Sequence, residues 1–328
     1  MKAIVYSEYG PLDGLRLEEV PKPVPGEDEV LVEVHASSVN YGNLAVIKGK
    51  PFVARFWSGL LKPKFRIPGG DLAGRVEAVG SKITRFKPGD EVFGDISGCG
   101  FGAYAEYAVA PSDTLALKPA NIGFEEAAAV PQAALVALQG LRDKGGLQTG
   151  QKVLIVGASG GNGTFAVQLA RAFSAEVTGV CGPQNVELVR SLGAGRVIDY
   201  TKEDFTAGEE RYDLILAMAG YRSIYDYKSA LGLRGTYVMV GGTQKQIFQA
   251  MLLGPLLSRK GGQKLTNLYH QHSQKDLDFM KGLIEAGKVA PVIDRRYALA
   301  ETVEALRYYS QGHARGKVVI TVRRNGKS

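Results

Sequence analysis

Apolar and polar positions change rhythm near Asn121. Before it the apolar runs are short. Val30-Leu31-Val32-Glu33-Val34-His35, Arg75-Val76-Glu77-Ala78-Val79 and Ala103 to Val109 predict strands. Turn residues separate them at Pro25-Gly26, Pro68-Gly69-Gly70 and Lys87-Pro88-Gly89-Asp90. Regular short strands of this kind predict a small barrel. Phe124 to Leu141 reads as an alanine-rich helical stretch broken by Pro131. From Lys152 onward, strands near 152–157, 176–181, 195–199, 213–218 and 236–241 alternate with helices near 163–173, 185–192 and 223–231. Such alternation predicts an α/β, doubly wound parallel sheet. Beyond about 262 come a helix at Lys275 to Ala286, the segment Pro291 to Ala298, a helix at Glu301 to Ser310 and a last strand, Lys317 to Val322. That strand has no place in the parallel sheet, so it should return to the first domain. The expected division is 1–121, 122–262 and 263–328.

The densest signal lies between Lys152 and Arg171. Val153-Leu154-Ile155-Val156 is continuously apolar, as a parallel strand buried on both faces must be. Gly157, Gly160, Gly161 and Gly163 follow, and then Ala166, Leu169, Ala170 and Phe173 mark one helix face. A strand, a glycine turn and a helix start in succession place free N–H groups and a partial positive charge where a pyrophosphate can sit. Ala158 stands where the strict G-x-G-x-x-G pattern has its first glycine. The competing reading is a tight turn that binds nothing. The second strand ends Val180-Cys181-Gly182-Pro183-Gln184-Asn185, with no carboxylate between Glu176 and Glu187. An NAD site uses an acidic residue there for the ribose hydroxyls, so its absence favours NADPH. No Lys or Arg lies between Arg171 and Arg190. The 2′-phosphate then needs a cation from elsewhere, or Asn185 and Tyr200 as donors.

The chain of 328 residues can hold two cores, and its 45% hydrophobic content is that of an ordinary globular protein. Met1-Lys2-Ala3-Ile4-Val5-Tyr6 opens as a strand rather than as a signal peptide. No apolar run approaches the roughly 18 residues of a membrane span. Two distant cysteines, Cys99 and Cys181, give no disulfide framework and suit a reducing, cytoplasmic setting. The net charge of +7 is spread over small clusters, Lys62, Lys64 and Arg66, and the tail Arg323-Arg324-Asn325-Gly326-Lys327. No nucleic-acid motif accompanies it, so neither nucleic acid nor membrane is an expected partner.

The order of motifs resembles the medium-chain dehydrogenase/reductase superfamily along essentially the whole chain. The carriers are Val39-Asn40, Pro68-Gly69-Gly70-Asp71-Leu72-Ala73-Gly74, Val79-Gly80, Phe86-Lys87-Pro88-Gly89-Asp90-Glu91-Val92-Phe93-Gly94 and Ala105-Glu106-Tyr107. Further on come Gly157-Ala158-Ser159-Gly160-Gly161, Val189-Arg190-Ser191-Leu192-Gly193-Ala194, Val197-Ile198-Asp199-Tyr200 and Gly316-Lys317-Val318-Val319. Within the superfamily the chain is similar to the zinc-free quinone oxidoreductase branch. The resemblance implies a GroES-like β-barrel catalytic domain, a Rossmann domain, a small-molecule substrate and, as one option, a homodimer.

It also implies roles. Asn40 would reach the nicotinamide ribose, the alternative being local backbone capping. Tyr41 is the candidate proton donor, the alternative being packing. Ser159, Gly160, Gly161, Asn162 and Gly163 would hold the pyrophosphate, with helix capping as the other reading of Asn162. Cys181, Gly182, Asn185 and Tyr200 would line the adenosine side, with Ala219, and Gly241-Gly242 the nicotinamide end. Phe52 and Trp57 belong to an apolar stretch, 52–65, that reads as a substrate-facing lid, as packing, or as a dimer contact. Catalytic zinc in this superfamily uses Cys and Gly-His-Glu, whereas Asn40 and Gly70-Asp71 stand here, so no metal is expected. The four histidines, His35, His270, His272 and His313, are expected on the surface or in packing. Without a Lewis acid, substrates that delocalise the incoming charge remain feasible: quinones and α,β-unsaturated carbonyls. Hydride transfer between domains to such a substrate is the leading expectation. An enoyl-thioester reductase and a non-catalytic NADPH-binding or sensing protein are the rivals, and Val136, where relatives often carry Thr, speaks for the last.

Overall fold

A computed structural model describes residues 1–258 and 262–323. The basic tail from Arg324 onward lies outside the described residues. The chain forms two compact units. One comprises Met1–Ala133, His272–Ala286 and the chain from Pro291 on; the other comprises Ala134–Gln271 and Gly287–Ala290.

The boundaries differ from those expected, for physical reasons. Phe124 packs on the first unit, its ring 4.1 Å from the His35 ring in a stacked pair, so the helix Phe124–Ala128 belongs there. Lys264–Asn267 is a sixth strand of the parallel sheet, in register with Thr236–Met239, so the second unit runs past 262.

The first unit is built around one long strand, Glu29–Ser38, paired antiparallel with Asp71–Val79, Tyr107–Pro111 and Lys317–Thr321. Its inward positions, Val30, Val32 and Val34, are fully buried against Leu72, Val76 and Val92. The returning strand joins as expected: Val319 faces Ser38 and Thr321 faces Ala36. Ile293–Ala298 pairs parallel with Lys317–Thr321 at the sheet margin.

The second unit is a six-stranded parallel sheet. In spatial order the strands are Arg196–Asp199, Glu176–Cys181, Lys152–Val156, Tyr212–Ala217, Leu231–Met239 and Lys264–Asn267. Numbered by sequence this is 3-2-1-4-5-6. The order reverses at Lys152–Val156, and a ligand crevice belongs outside the carboxyl end of that strand. Val153 to Val156 have no exposed surface. No helix among the described residues is long and apolar enough to cross a membrane.

Candidate functional site

In the second unit the carboxyl ends of four adjacent strands are tied together by backbone bonds. Gly157 N–H and Ala158 N–H both donate to Val180 C=O, at 3.0 Å each. Met218 and Ala219 N–H donate to Val156 C=O, and Val240 and Gly241 N–H to Ala217 C=O. Gly220 N–H meets Gly241 C=O at 2.7 Å. Thus Ser159, Gly182, Ala219 and Gly241, far apart in sequence, sit along one edge.

The glycines are there for space and geometry. Gly157 has φ +83°, and a Cβ on it would stand 2.7 Å from the Ala219 Cβ. A Cβ on Gly163 would be 2.1 Å from Gly157 O, so the helix Gly161–Ala172 can approach the strand end only with glycine there. A Cβ on Gly160 would meet just one atom, at 3.6 Å. Gly160 is therefore not needed for packing and leaves open the approach to the helix N-terminus. No side chain caps that terminus, and its first N–H groups have no partner within the helix. This arrangement fits a pyrophosphate. Asn162 lies in the first turn, half-buried.

The expected adenosine side also assembles. Asn185 donates from Nδ2 to Ser159 Oγ at 3.1 Å, while its Oδ1 is buried without a hydrogen-bond partner. An orphaned acceptor of this kind costs free energy until a donor arrives, as a nucleotide hydroxyl would supply. Tyr200 Oη lies 3.4 Å from where a Gly182 Cβ would stand. Cys181 is buried, and burial, aided by the charge of Asp199, pushes its thiol up to about 11, so it is a protonated wall residue. Sequence reading missed one carboxylate. Asp199, on the neighbouring strand, is in register with Cys181. Its Oδ1 is committed to Thr201, accepting from both the N–H at 3.0 Å and the hydroxyl at 2.7 Å.

The first unit holds a second cluster, of side chains rather than backbone. Asp71 has no exposed surface. Its Oδ2 accepts from Ser38 Oγ at 2.6 Å, Asn40 Nδ2 at 2.7 Å and Lys317 Nζ at 3.3 Å; its Oδ1 accepts from Gln132 N–H at 3.0 Å. Lys317 is 2% exposed and spends its donors on Val39 O, Asn40 Oδ1 and Asp71. Burial raises the Asp71 carboxyl above its ordinary range against the pull of Lys317, and burial lowers the Lys317 ammonium against the pull of Asp71. Asn40 is held at both ends, its carbonyl by Lys317 and one amide N–H by Asp71, which leaves one N–H for a ligand.

These residues do not fit a zinc ion. Asn40, Gly70 and Asp71 provide no imidazole or thiolate, and the Asp71 carboxylate is already engaged by Ser38, Asn40, Gln132 and the Lys317 ammonium. Next to the cluster, Gln132 Nε2 reaches Ser97 Oγ at 3.1 Å, and His272 Nδ1 lies 3.4 Å from the buried Asp95 carboxylate. Burial works against an imidazolium at His272, but the hydrogen bond and charge of Asp95 outweigh it and the pKa is raised. His272 follows the strand Lys264–Asn267 and lies in no strand itself, so the expected surface or packing role gives way to a charge partnership.

Tyr41 opens the helix Tyr41–Lys48 and is 60% exposed, so it is not a core residue. The stretch 52–65 divides. Trp57 packs on Phe65 and Phe101, with ring centroids 5.1 and 5.6 Å away, while Phe52, Phe56 and Leu61 face outward. Lys317 was not singled out from sequence. The available signal was a lone cation between Gly316 and the apolar run Val318-Val319-Ile320, in a strand that had to be buried.

Comparison with known proteins gives the family. Residues 26–120 match the model of the alcohol dehydrogenase GroES-like domain, and residues 192–320 that of the zinc-binding dehydrogenase family. A chloroplast envelope quinone oxidoreductase homolog of Arabidopsis thaliana is 35% identical, covering 98% of each chain. An NADPH-dependent alkenal/one oxidoreductase of the same plant is 33% identical over 98% of this chain and 79% of its own. The structure of the quinone oxidoreductase from Coxiella burnetii superimposes with a TM-score of 0.87 at 30% identity, covering 98% of this chain and 99% of that one. With a glycine turn built for a dinucleotide and relatives of this kind along its full length, the chain belongs to the medium-chain dehydrogenase/reductase superfamily, as a quinone oxidoreductase-like, nicotinamide-dependent oxidoreductase.

Proposed function

We propose that this protein is an NADPH-dependent, zinc-independent reductase of quinones or α,β-unsaturated carbonyls. One observation carries the reading: an Asp71–Lys317 ion pair, saturated with hydrogen bonds, stands where the superfamily's metal ligands would be. A site of this kind, with an ion pair in place of a Lewis acid, suits acceptors that spread negative charge themselves. NADPH, when bound, supplies the hydride. The protein's own contribution is to hold and orient: the uncapped helix start beside Gly160 takes the pyrophosphate, Asn185 and Tyr200 the adenosine ribose, and the free N–H of Asn40 the nicotinamide ribose. Tyr41, exposed, is assigned no essential proton; a hydroquinone anion takes its proton from water. The relatives named for quinones and for alkenals or enones support both acceptor classes. The two distant cysteines support a reducing compartment.

The test is steady-state turnover of NADPH and NADH with a panel of quinones and enones, before and after exhaustive chelation. Turnover with NADPH that survives chelation is expected. Activity lost to chelator and restored by zinc overturns metal independence. Tight nucleotide binding with no turnover on any acceptor favours a sensor.

A further inference from the structure

A 2′-phosphate is a dianion, and a site that prefers it needs a fixed cation with donors to spare. The sequence offers none beside the second strand of the parallel sheet. Arg171 lies under Gly193, where an added Cβ would come 2.3 Å from its Cδ. Arg190 is paired with Glu187 at 2.5 Å. Lys202 is 79% exposed and 3.8 Å from Asp199.

The tertiary structure brings in another candidate. Tyr200 Oη stands 3.4 Å from the Cβ position of Gly182, where a ribose-binding carboxylate would otherwise project. The Tyr200 ring lies 5.9 Å from the Tyr221 ring, and the Arg222 guanidinium lies 5.5 Å over that ring. Arg222 follows the fourth strand, Tyr212–Ala217, whose carboxyl end lies on the same side of the parallel sheet as that of the third, which precedes Tyr200. Its backbone is anchored by Gln246 Nε2, which donates to Arg222 C=O at 2.9 Å. One amino group donates to Asp204 at 2.8 Å, and Asp204 is itself held by Thr206. The guanidinium is not fully committed. Nε is buried with no hydrogen-bond partner, and the side chain is 35% exposed. A buried Nε–H with no acceptor is poor design for a structural ion pair, and the partly exposed guanidinium leaves an anion room to approach.

We infer that Arg222 supplies the cation for the 2′-phosphate and is a specificity-determining residue of the nucleotide site. This rests on the NADPH reading proposed above. Tyr200 supplies a hydroxyl donor on one side of the phosphate, Tyr221 a ring face against which the guanidinium rests, and Arg222 the charge.

The experiment measures NADPH and NADH dissociation constants by nucleotide fluorescence, with 2′,5′-ADP as competitor, in the wild-type chain, Arg222→Gln and Arg222→Lys. In Arg222→Gln the affinity for NADPH and for 2′,5′-ADP should fall roughly tenfold to a hundredfold, the range for a lost charge-assisted hydrogen bond, with NADH unchanged. Arg222→Lys should recover part of the loss. Unchanged NADH binding shows that the variant is folded. An equal loss for both nucleotides overturns the inference and makes Arg222 a structural residue. A wild-type NADPH preference that persists in Arg222→Gln overturns it while leaving the NADPH reading intact. A wild-type chain with no preference overturns both.

Discussion

The two clusters are built from opposite materials. In the second unit the candidate ligand groups are the backbone N–H groups at the uncapped helix start beside Gly160, with Gly157 and Gly163 giving the turn its room. In the first unit they are side chains, with Asp71 and Lys317 buried in full and Asn40 clamped between them. A backbone site tolerates little change in shape but carries no net charge to desolvate. A buried ionic site carries that cost, and each member is stable only while the others are present. The first should fail by losing its ligand, the second by losing the fold around it.

The largest effect follows from that difference. Lys317→Met leaves Asp71 and the Asn40 carbonyl buried without their partner, which typically costs about 3–5 kcal/mol. Chemical denaturation should show this as a loss of stability. The double variant Asp71→Leu/Lys317→Met should recover part of it. A single variant as stable as wild type would mean that the pair contributes nothing the comparison assigns to it.

In the other cluster two glycines separate packing from ligand approach. Gly163→Ala forces a Cβ to within 2.1 Å of Gly157 O and should lower both stability and NADPH affinity. Gly160→Ala meets one atom at 3.6 Å and should fold normally while binding NADPH more weakly, because its methyl group stands where the phosphate approaches. Thermal melts with and without nucleotide distinguish the two. Normal binding in Gly160→Ala would move the pyrophosphate elsewhere.

Asn40 keeps one side-chain N–H beyond the one it gives to Asp71. Asn40→Ala should weaken NADPH binding and slow turnover by about 1–3 kcal/mol, the cost of a lost hydrogen bond in a dry site, measured as kcat/KM. A smaller effect concerns His272. Its pKa is raised in the folded state, so the stabilisation is complete below the unfolded value near 6.5 and is lost as pH rises through the folded value. Melting temperatures followed upward from about pH 6 should fall accordingly, and His272→Asn should flatten that limb. The smallest effect is expected for Tyr41→Phe, which should change quinone turnover by less than about threefold; a loss above a hundredfold would make Tyr41 the general acid.

Much of the second unit was legible in the chain. Val153 to Val156, the four glycines and the helix face at Ala166, Leu169 and Ala170 are all local patterns, each set by residues within about twenty positions of one another, and the sheet order follows from connection rules. The missing carboxylate after Cys181 was legible for the same reason. The sixth strand at Lys264–Asn267 was not, because four residues pairing at a sheet edge carry too short a period to read.

The local geometry of the glycine turn was determined by sequence alone, because glycine's conformational freedom is a property of the residue and acts where the residue sits. The side-chain cluster was decided by tertiary structure. Asp71 and Lys317 are 246 positions apart, and their meeting depends on two strands flanking Glu29–Ser38 from opposite sides. Tyr200 and Tyr221, whose ring carries the Arg222 guanidinium, likewise meet only in the folded sheet. Ion pairs and hydrogen bonds act over a few ångströms in space, and only the folded chain decides which charges come that close.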